Sequence, residues 1–215
     1  MKIKVCGMRN SENIQSLIAL EPDFMGFIFY DKSKRFVTDF PEVDIPLHIK
    51  KVGVFVNESI ENVSKLVAEH QLDYVQLHGE ESPEYCNELI QKQAHISNES
   101  FQLGIMKAFS VDENFDFSQT EKFDTSCDYF IFDAKGKERG GNGVKFNWDI
   151  LHNYKGEKPY LLSGGISKND VALIAEFLQK KESKSCVGLD INSGFEIEPG
   201  LKNINDIKEF KQNLE

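Results

Sequence analysis

Short apolar runs recur along the chain at intervals that leave room for one helix between each pair. The runs are Lys2 to Cys6, Phe24 to Phe29, Val52 to Val56, Tyr74 to Leu77, Leu103 to Ala108, Tyr129 to Phe132, Tyr160 to Leu162 and Cys186 to Ile191. Several are apolar almost without interruption, the pattern of parallel strands covered on both faces. The intervening segments switch to helical period. Ile14, Leu17 and Ile18 share a face, as do Ile60, Val63, Leu66 and Val67, and Val171, Ile174, Ala175 and Leu178. Ile204, Ile207, the stem of Lys211 and Leu214 form a last amphipathic face. Ser82 before Pro83 reads as a helix start, and Ser167 with Asp170 as a variant capping box.

Three stretches break the alternation. Phe36 to Lys50 holds two prolines and little period, Phe115 to Ser126 has room for a short helix only, and Lys92 to Ser100 reads as a polar connector. No low-complexity linker divides the chain. Eight strand–helix units in 215 residues therefore predict an α/β protein, a (β/α)8 TIM barrel spanning 1–215 as a single domain. The rival is an open doubly wound sheet. It would put a glycine-rich fingerprint after its first strand, where this chain has Cys6-Gly7-Met8-Arg9.

Composition narrows the function. The net charge of −10 argues against a nucleic-acid surface, which needs a basic stripe. No apolar run approaches the ~20 residues of a membrane span. The N-terminus starts directly on a strand, with no secretory h-region. Cys6, Cys86, Cys127 and Cys186 show no metal-ligand spacing, so reduced thiols in a cytoplasmic protein and no metal are expected. An acidic chain that bound an anion would have to build the attraction locally.

In a barrel, chemistry gathers where strands end. Cys6 and Gly7 stand after the first strand, Lys32 to Arg35 after the second, Asn57 after the third and His78 and Gly79 after the fourth. Asp133 and then Gly140, Gly141, Asn142 and Gly143 follow the sixth, Ser163, Gly164 and Gly165 the seventh, and Asp190, Asn192, Ser193 and Gly194 mark the eighth. Polar and glycine residues thus repeat at one end. The turns after strands seven and eight suit a phosphate, because glycine lets backbone N–H groups come close to an anion.

Each candidate has a plain structural alternative. Cys6 is a reactive thiol or a buried core cysteine. Asp133, directly after a run of apolar residues, is a costly carboxylate kept for chemistry, or one paired with Lys135 or Arg139. Lys4 shares a side of its strand with Cys6, and either favours the thiolate or pairs with Asp190. Arg35 is a bidentate carboxylate clamp or a solvated charge. His78 donates a hydrogen bond, moves a proton or supports its loop. Trp148 is expected on the outer helical layer.

The blocks Lys4-Val5-Cys6-Gly7-Met8, Gly26-Phe27-Ile28-Phe29 with Ser33 to Val37, Val52 to Asn57, Val75 to Gly79, Gly140 to Gly143, Ser163 to Ile166 and Asp190 to Glu196 with Pro199-Gly200 resemble the phosphoribosylanthranilate isomerases. They stand in family order over nearly the whole chain. The resemblance implies an Amadori rearrangement in tryptophan biosynthesis without a cofactor, on a small phosphorylated anionic substrate, by a monomer or homodimer. It implies Cys6 as general base, Asp133 as general acid, Arg35 on the substrate carboxylate, and the loops after strands seven and eight on its phosphate. Lys34, Asn142 and Asn203 depart from the family pattern; none touches Cys6 or Asp133. The rivals are a related phosphosugar barrel such as indoleglycerol-phosphate synthase, needing a catalytic Lys–Glu pair, and a non-catalytic phosphate-binding barrel. For the first, only Lys107 stands near a strand end, with no obvious Glu partner on the next strand.

Overall fold

A computed structural model describes residues 1–96, 102–135 and 147–214. The apolar runs become parallel strands that close in chain order: β1 (Lys2–Val5), β2 (Phe24–Ile28), β3 (Lys50–Phe55), β4 (Tyr74–Leu77), β5 (Gly104–Val111), β6 (Tyr129–Ala134), β7 (Tyr160–Leu162) and β8 (Cys186–Ile191). β8 returns to β1 with Lys4 opposite Asp190, which seals the barrel. The predicted (β/α)8 architecture is present.

Strand period then sorts the side chains. Phe24, Val52, Met106, Ala108, Ile131 and Leu161 point inward and fill the lower barrel as one apolar cluster, with Cys6, Ile28 and Val54 above them. The alternate residues, among them Val5, Phe27, Phe55, Val75, Phe130 and Phe132, point outward into the larger core under the helices. Those helices are α1 (Ser11–Ile18), α2 (Ile60–His70), α3 (Pro83–Ile96), α4 (Val171–Leu178) and α5 (Ile204–Leu214). Caps formed where the sequence placed them. The Tyr85 N–H donates to Ser82 Oγ at 3.3 Å, and the Ser167 N–H to Asp170 Oδ2 at 2.7 Å.

The irregular stretches resolve differently. No helix joins β2 to β3, where Pro41 and Pro46 lack the N–H a helix needs. Phe40 covers that side of the sheet, packing on Phe27 at 4.7 Å and on His70 at 4.2 Å between ring centroids. Phe117–Phe123 and Trp148–Asn153 form 3-10 turns, and Trp148 lies edge-on to Phe177 of α4, in the outer layer as expected. The connector expected from Lys92 is instead the end of α3, which runs to Ile96. Gln91 to Ala94 are good helix formers, and Gln93 is buried with its amide donating to Ser64 O at 3.4 Å. The rest of that stretch, 97–100, lies outside the described residues. No helix among the described residues is long and apolar enough to cross a membrane.

Candidate active site

A cleft of ≈ 730 Å³, counting its open mouth, lies over the C-terminal ends of the strands. Cys6, Arg35, His78, Asp133, Gly164, Gly165, Asp190, Ser193 and Gly194 all line it. Gly140 to Gly143 and Arg139, predicted from the sequence as site or loop residues, lie outside the described residues.

Cys6 reaches the cleft because β1 delivers Lys4 and Cys6 inward in succession, and because β2 gives way beside it. A Cβ on Gly26 would stand 2.9 Å from Cys6 Sγ, so glycine there makes the room the thiol occupies. Asp133 enters from the far wall near the end of β6. Its Oδ1 accepts from the Ala134 N–H at 3.0 Å, and Oδ2 stands 3.5 Å from His78 Nε2. Gln76 Nε2 lies 3.2 Å from His78 Nδ1. With that amide donating, the neutral imidazole carries its proton on Nε2, facing Asp133. Lys135 turns away to Asp112 at 2.6 Å, so it is not the partner of Asp133.

Lys4 is fully buried and pairs with Asp190 at 2.9 Å. Burial works against its charge, but Asp190 and Cys6 outweigh burial and hold the ammonium above its ordinary range. The thiol of Cys6 does not follow the expectation that Lys4 would favour the thiolate. Burial pushes it up, Lys4 pulls it down, Asp190 pushes again, and the net shift is upward. Cys6 is therefore held as a thiol. Burial, then the charge of Asp190, raises Asp133 to about 6. That is the expected direction, yet at neutral pH most of this carboxyl is ionised until something more is added.

Arg35 is no solvated charge. It is buried, and Glu196 takes its Nε at 2.8 Å and its Nη2 at 2.7 Å. Across the cleft, Gly164 and Gly165 adopt φ of 91° and 63°. A Cβ on Gly164 would sit 2.7 Å from the Ala134 nitrogen, so only glycine lets this turn approach β6. Ser193 and Gly194 open the single 3-10 turn Ser193–Phe195. Two such turns side by side form a bed of backbone on the wall of β7 and β8, which fits a phosphate.

Lys107 faces the other way. It points out of the barrel and pairs with Glu81 at 2.9 Å, a partner from the loop after β4 that the sequence did not suggest. A Lys–Glu pair thus exists, but outside the cleft, which removes the indoleglycerol-phosphate synthase reading. Gln76, Glu196 and Lys202 were also missed as site components. The signal that could have found Glu196 and Lys202 is Pro199-Gly200 read as a hairpin turn.

A closed barrel with an acid, a thiol and a phosphate-shaped backbone bed at its C-terminal rim defines a phosphosugar-handling barrel. The chain matches the family described as N-(5'phosphoribosyl)anthranilate (PRA) isomerase over residues 3–213, and it belongs to that family. It is 44% identical to the N-(5'-phosphoribosyl)anthranilate isomerase of Parabacteroides distasonis, covering 100% of this chain and 93% of that one. Its fold is similar to a crystal structure of phosphoribosyl anthranilate isomerase from Thermotoga maritima, with a TM-score of 0.79 and 31% identity over 100% of this chain and 98% of the other. It is also similar, with a TM-score of 0.76 and 28% identity over 100% and 98% of the two chains, to a phosphoribosyl anthranilate isomerase in complex with reduced 1-(o-carboxyphenylamino)-1-deoxyribulose 5-phosphate.

Proposed function

We infer that this barrel, acting as one domain, catalyses the family's reaction with Cys6 as general base and Asp133 as general acid. The reaction is the Amadori rearrangement of N-(5'-phosphoribosyl)anthranilate to 1-(2-carboxyphenylamino)-1-deoxyribulose 5-phosphate, in tryptophan biosynthesis. The observation that carries the assignment is that a thiol and a carboxylic acid with a raised pKa open onto one cleft together with the glycine turns.

Protonated Asp133 gives its proton to the furanose ring oxygen. The bond from that oxygen to C1 breaks, and the nitrogen lone pair forms the C1–N double bond of a Schiff base. Cys6, as thiolate, takes the proton from C2, and the electrons of that C–H bond return through C1 to nitrogen. The enolamine that results becomes the ketone when C1 gains a proton and the C2 hydroxyl loses one. Arg35 holds the anthranilate carboxylate, and Gly164, Gly165, Ser193 and Gly194 hold the phosphate, so the sugar is stretched between two anchored ends. Asp190 and His78 border the acid, and the charge of Asp190 raises its pKa. Asp133 has to be protonated and Cys6 ionised at the start, which is the reverse of the resting state. A doubly anionic substrate that expels water from the cleft drives Asp133 further toward its acid form.

The test is the loss of anthranilate fluorescence as substrate is consumed. Cys6→Ala and Asp133→Asn are each expected to lower kcat about 10²–10⁴-fold while the fold is retained. A variant that turns over at near the parent rate removes the role given to that residue.

A further inference from the structure

After β8 the chain forms a hairpin, β9 (Glu196–Glu198) and β10 (Leu201–Lys202), turned at Pro199-Gly200. It forms a two-stranded sheet separate from the barrel. Its pairing sets Glu196 opposite Lys202. Glu196 Oε1 accepts from Lys202 Nζ at 2.7 Å and from the Gly200 N–H at 3.0 Å, while its two oxygens grip Arg35. Lys202 Nζ also donates to Asn192 Oδ1 at 2.7 Å, and its backbone is clamped to Asn13 of α1 in both directions, at 2.8 and 2.9 Å. All three charged side chains are nearly enclosed, with 10% of Arg35, 5% of Glu196 and none of Lys202 exposed.

Burying three charges to fasten a hairpin is poor economy, since apolar residues of similar volume generally do it at lower cost. The arrangement makes sense at the cleft. The stem of Arg35 crosses Gly7 so closely that a Cβ there would lie 2.8 Å from Arg35 Cδ. Glu196 holds the guanidinium from behind while Arg35 lines the cleft in front. A lone glutamate would cancel the charge it positions. Lys202 restores it, so the three groups sum to one positive charge in a protein whose net charge is −10.

We propose that Glu196 is a positioning residue for substrate binding, which fixes Arg35 for bidentate capture of the anthranilate carboxylate while Lys202 keeps the cluster cationic. This rests on the assignment of Arg35 to that carboxylate. The hairpin is then the device that delivers both partners to Arg35. Burial opposes the charge on Glu196, but Arg35 and Lys202 prevail and hold its carboxyl at about 2, while burial lowers Lys202 to about 8, so the cluster carries its net positive charge below about pH 8.

The test compares two ligands by calorimetry: the reduced product analogue with its ring carboxylate, and the same molecule with hydrogen in place of the carboxylate. Glu196→Gln is expected to weaken the first at least tenfold and the second less than twofold, with KM for substrate rising more than kcat falls. Glu196→Asp keeps the charge and shortens the reach, so it carries the same selective loss at smaller size if E196Q does not fold. Unchanged binding of the carboxylated ligand, or equal weakening of both ligands, overturns the proposal. Arg35→Met separates the two layers. If it leaves the carboxylated ligand unaffected, the assignment of Arg35 falls and the proposal with it. If it weakens that ligand and E196Q does not, only the role of Glu196 falls.

Discussion

Among the buried lysine–carboxylate pairs of the described residues, Lys4–Asp190 lies inside the barrel and Lys107–Glu81 outside it, and these two are built differently. Lys107 and Glu81 are saturated with backbone partners. Lys107 also donates to the carbonyls of Leu77, at 3.3 Å, and Gly79, at 2.7 Å. Glu81 accepts from the N–H groups of Asn57 and Gly79 at 2.7 and 2.8 Å. The pair is a clasp tying the loops after β3 and β4 to β5. Lys4 and Asp190 sit on adjacent strands in the middle of the barrel, and their remaining neighbours include the two reactive groups, Cys6 and Asp133. A charge surrounded by backbone dipoles spends its field on structure. A charge that borders an acid and a thiol spends it on their protonation.

The largest effect should come from breaking the inner pair. Lys4→Met leaves Asp190 desolvated beside Asp133 and removes the larger of the two cationic pulls on Cys6, those of Lys4 and Lys202, so kcat/KM is expected to fall at least about 10²-fold, the worth of moving one pKa by about two. Stability should drop by about 3–5 kcal/mol as well, because one partner of a buried pair has gone. Lys107→Met should cost the same about 3–5 kcal/mol in urea unfolding, yet change kcat less than about tenfold at a temperature where both variants are folded. Equal kinetic damage at equal stability would erase the distinction between clasp and field.

Double replacements sharpen it. Lys4→Met with Asp190→Leu removes both charges and few hydrogen bonds, so stability should return to within about 1–2 kcal/mol of the parent while activity stays lost. Lys107→Met with Glu81→Leu cannot recover in that way. It strands the N–H groups of Asn57 and Gly79 and the carbonyls Lys107 held, each costing about 1–3 kcal/mol.

The two pairs were not equally legible beforehand. Lys4 and Asp190 lie in strands, where a period of two fixes direction, so their meeting was one of two readings open for Lys4. Glu81 sits in a loop after β4, and no period says where a loop carboxylate turns. The same holds for Glu196 and Lys202, which meet only through a hairpin too short to announce itself as strands. The barrel was readable because its strands are apolar on both faces, and the helix missing before β3 because two prolines forbid one. The state of Cys6 was not readable. It is a contest between burial and charges of both signs, Lys4 and Lys202 against Asp190, and its outcome depends on a packing that no sequence pattern specifies.

A smaller effect follows from Asp133, whose carboxyl burial and the charge of Asp190 push up. Its carboxyl moves from an ordinary 3.8 to about 6 in the folded protein. A group whose folded pKa lies above its unfolded value binds its proton more readily when folded, so its contribution to stability falls as pH rises from about 4 to 6 and stays low above. The full penalty at pH 7 to 8 is at most about 3 kcal/mol. Asp133→Asn should therefore unfold at higher urea than the parent at pH 7.5, with the gap closing as pH falls through 6 toward 4. A gap that stays constant over that range would mean the ionised carboxylate is not the strained form.

The smallest effect is on the shape of the pH profile, and it separates the inner pair from the acid it borders. The productive form carries a proton on Asp133 and none on Cys6, while the raised thiol makes the opposite arrangement the populated one. The productive fraction climbs as pH rises toward the lower of the two pKa values, is level between them and falls above the higher. For the free enzyme, kcat/KM should thus show an acid limb near 6, set by Asp133, and an alkaline limb above the ordinary cysteine range, set by Cys6. Asp190→Asn withdraws the negative charge that raises both groups, so both limbs should move to lower pH. Glu81→Gln, which alters the outer pair, should move neither. If it shifts the acid limb as far as Asp190→Asn does, the field on Asp133 is a property of the whole fold and the inner pair has no special hold on it.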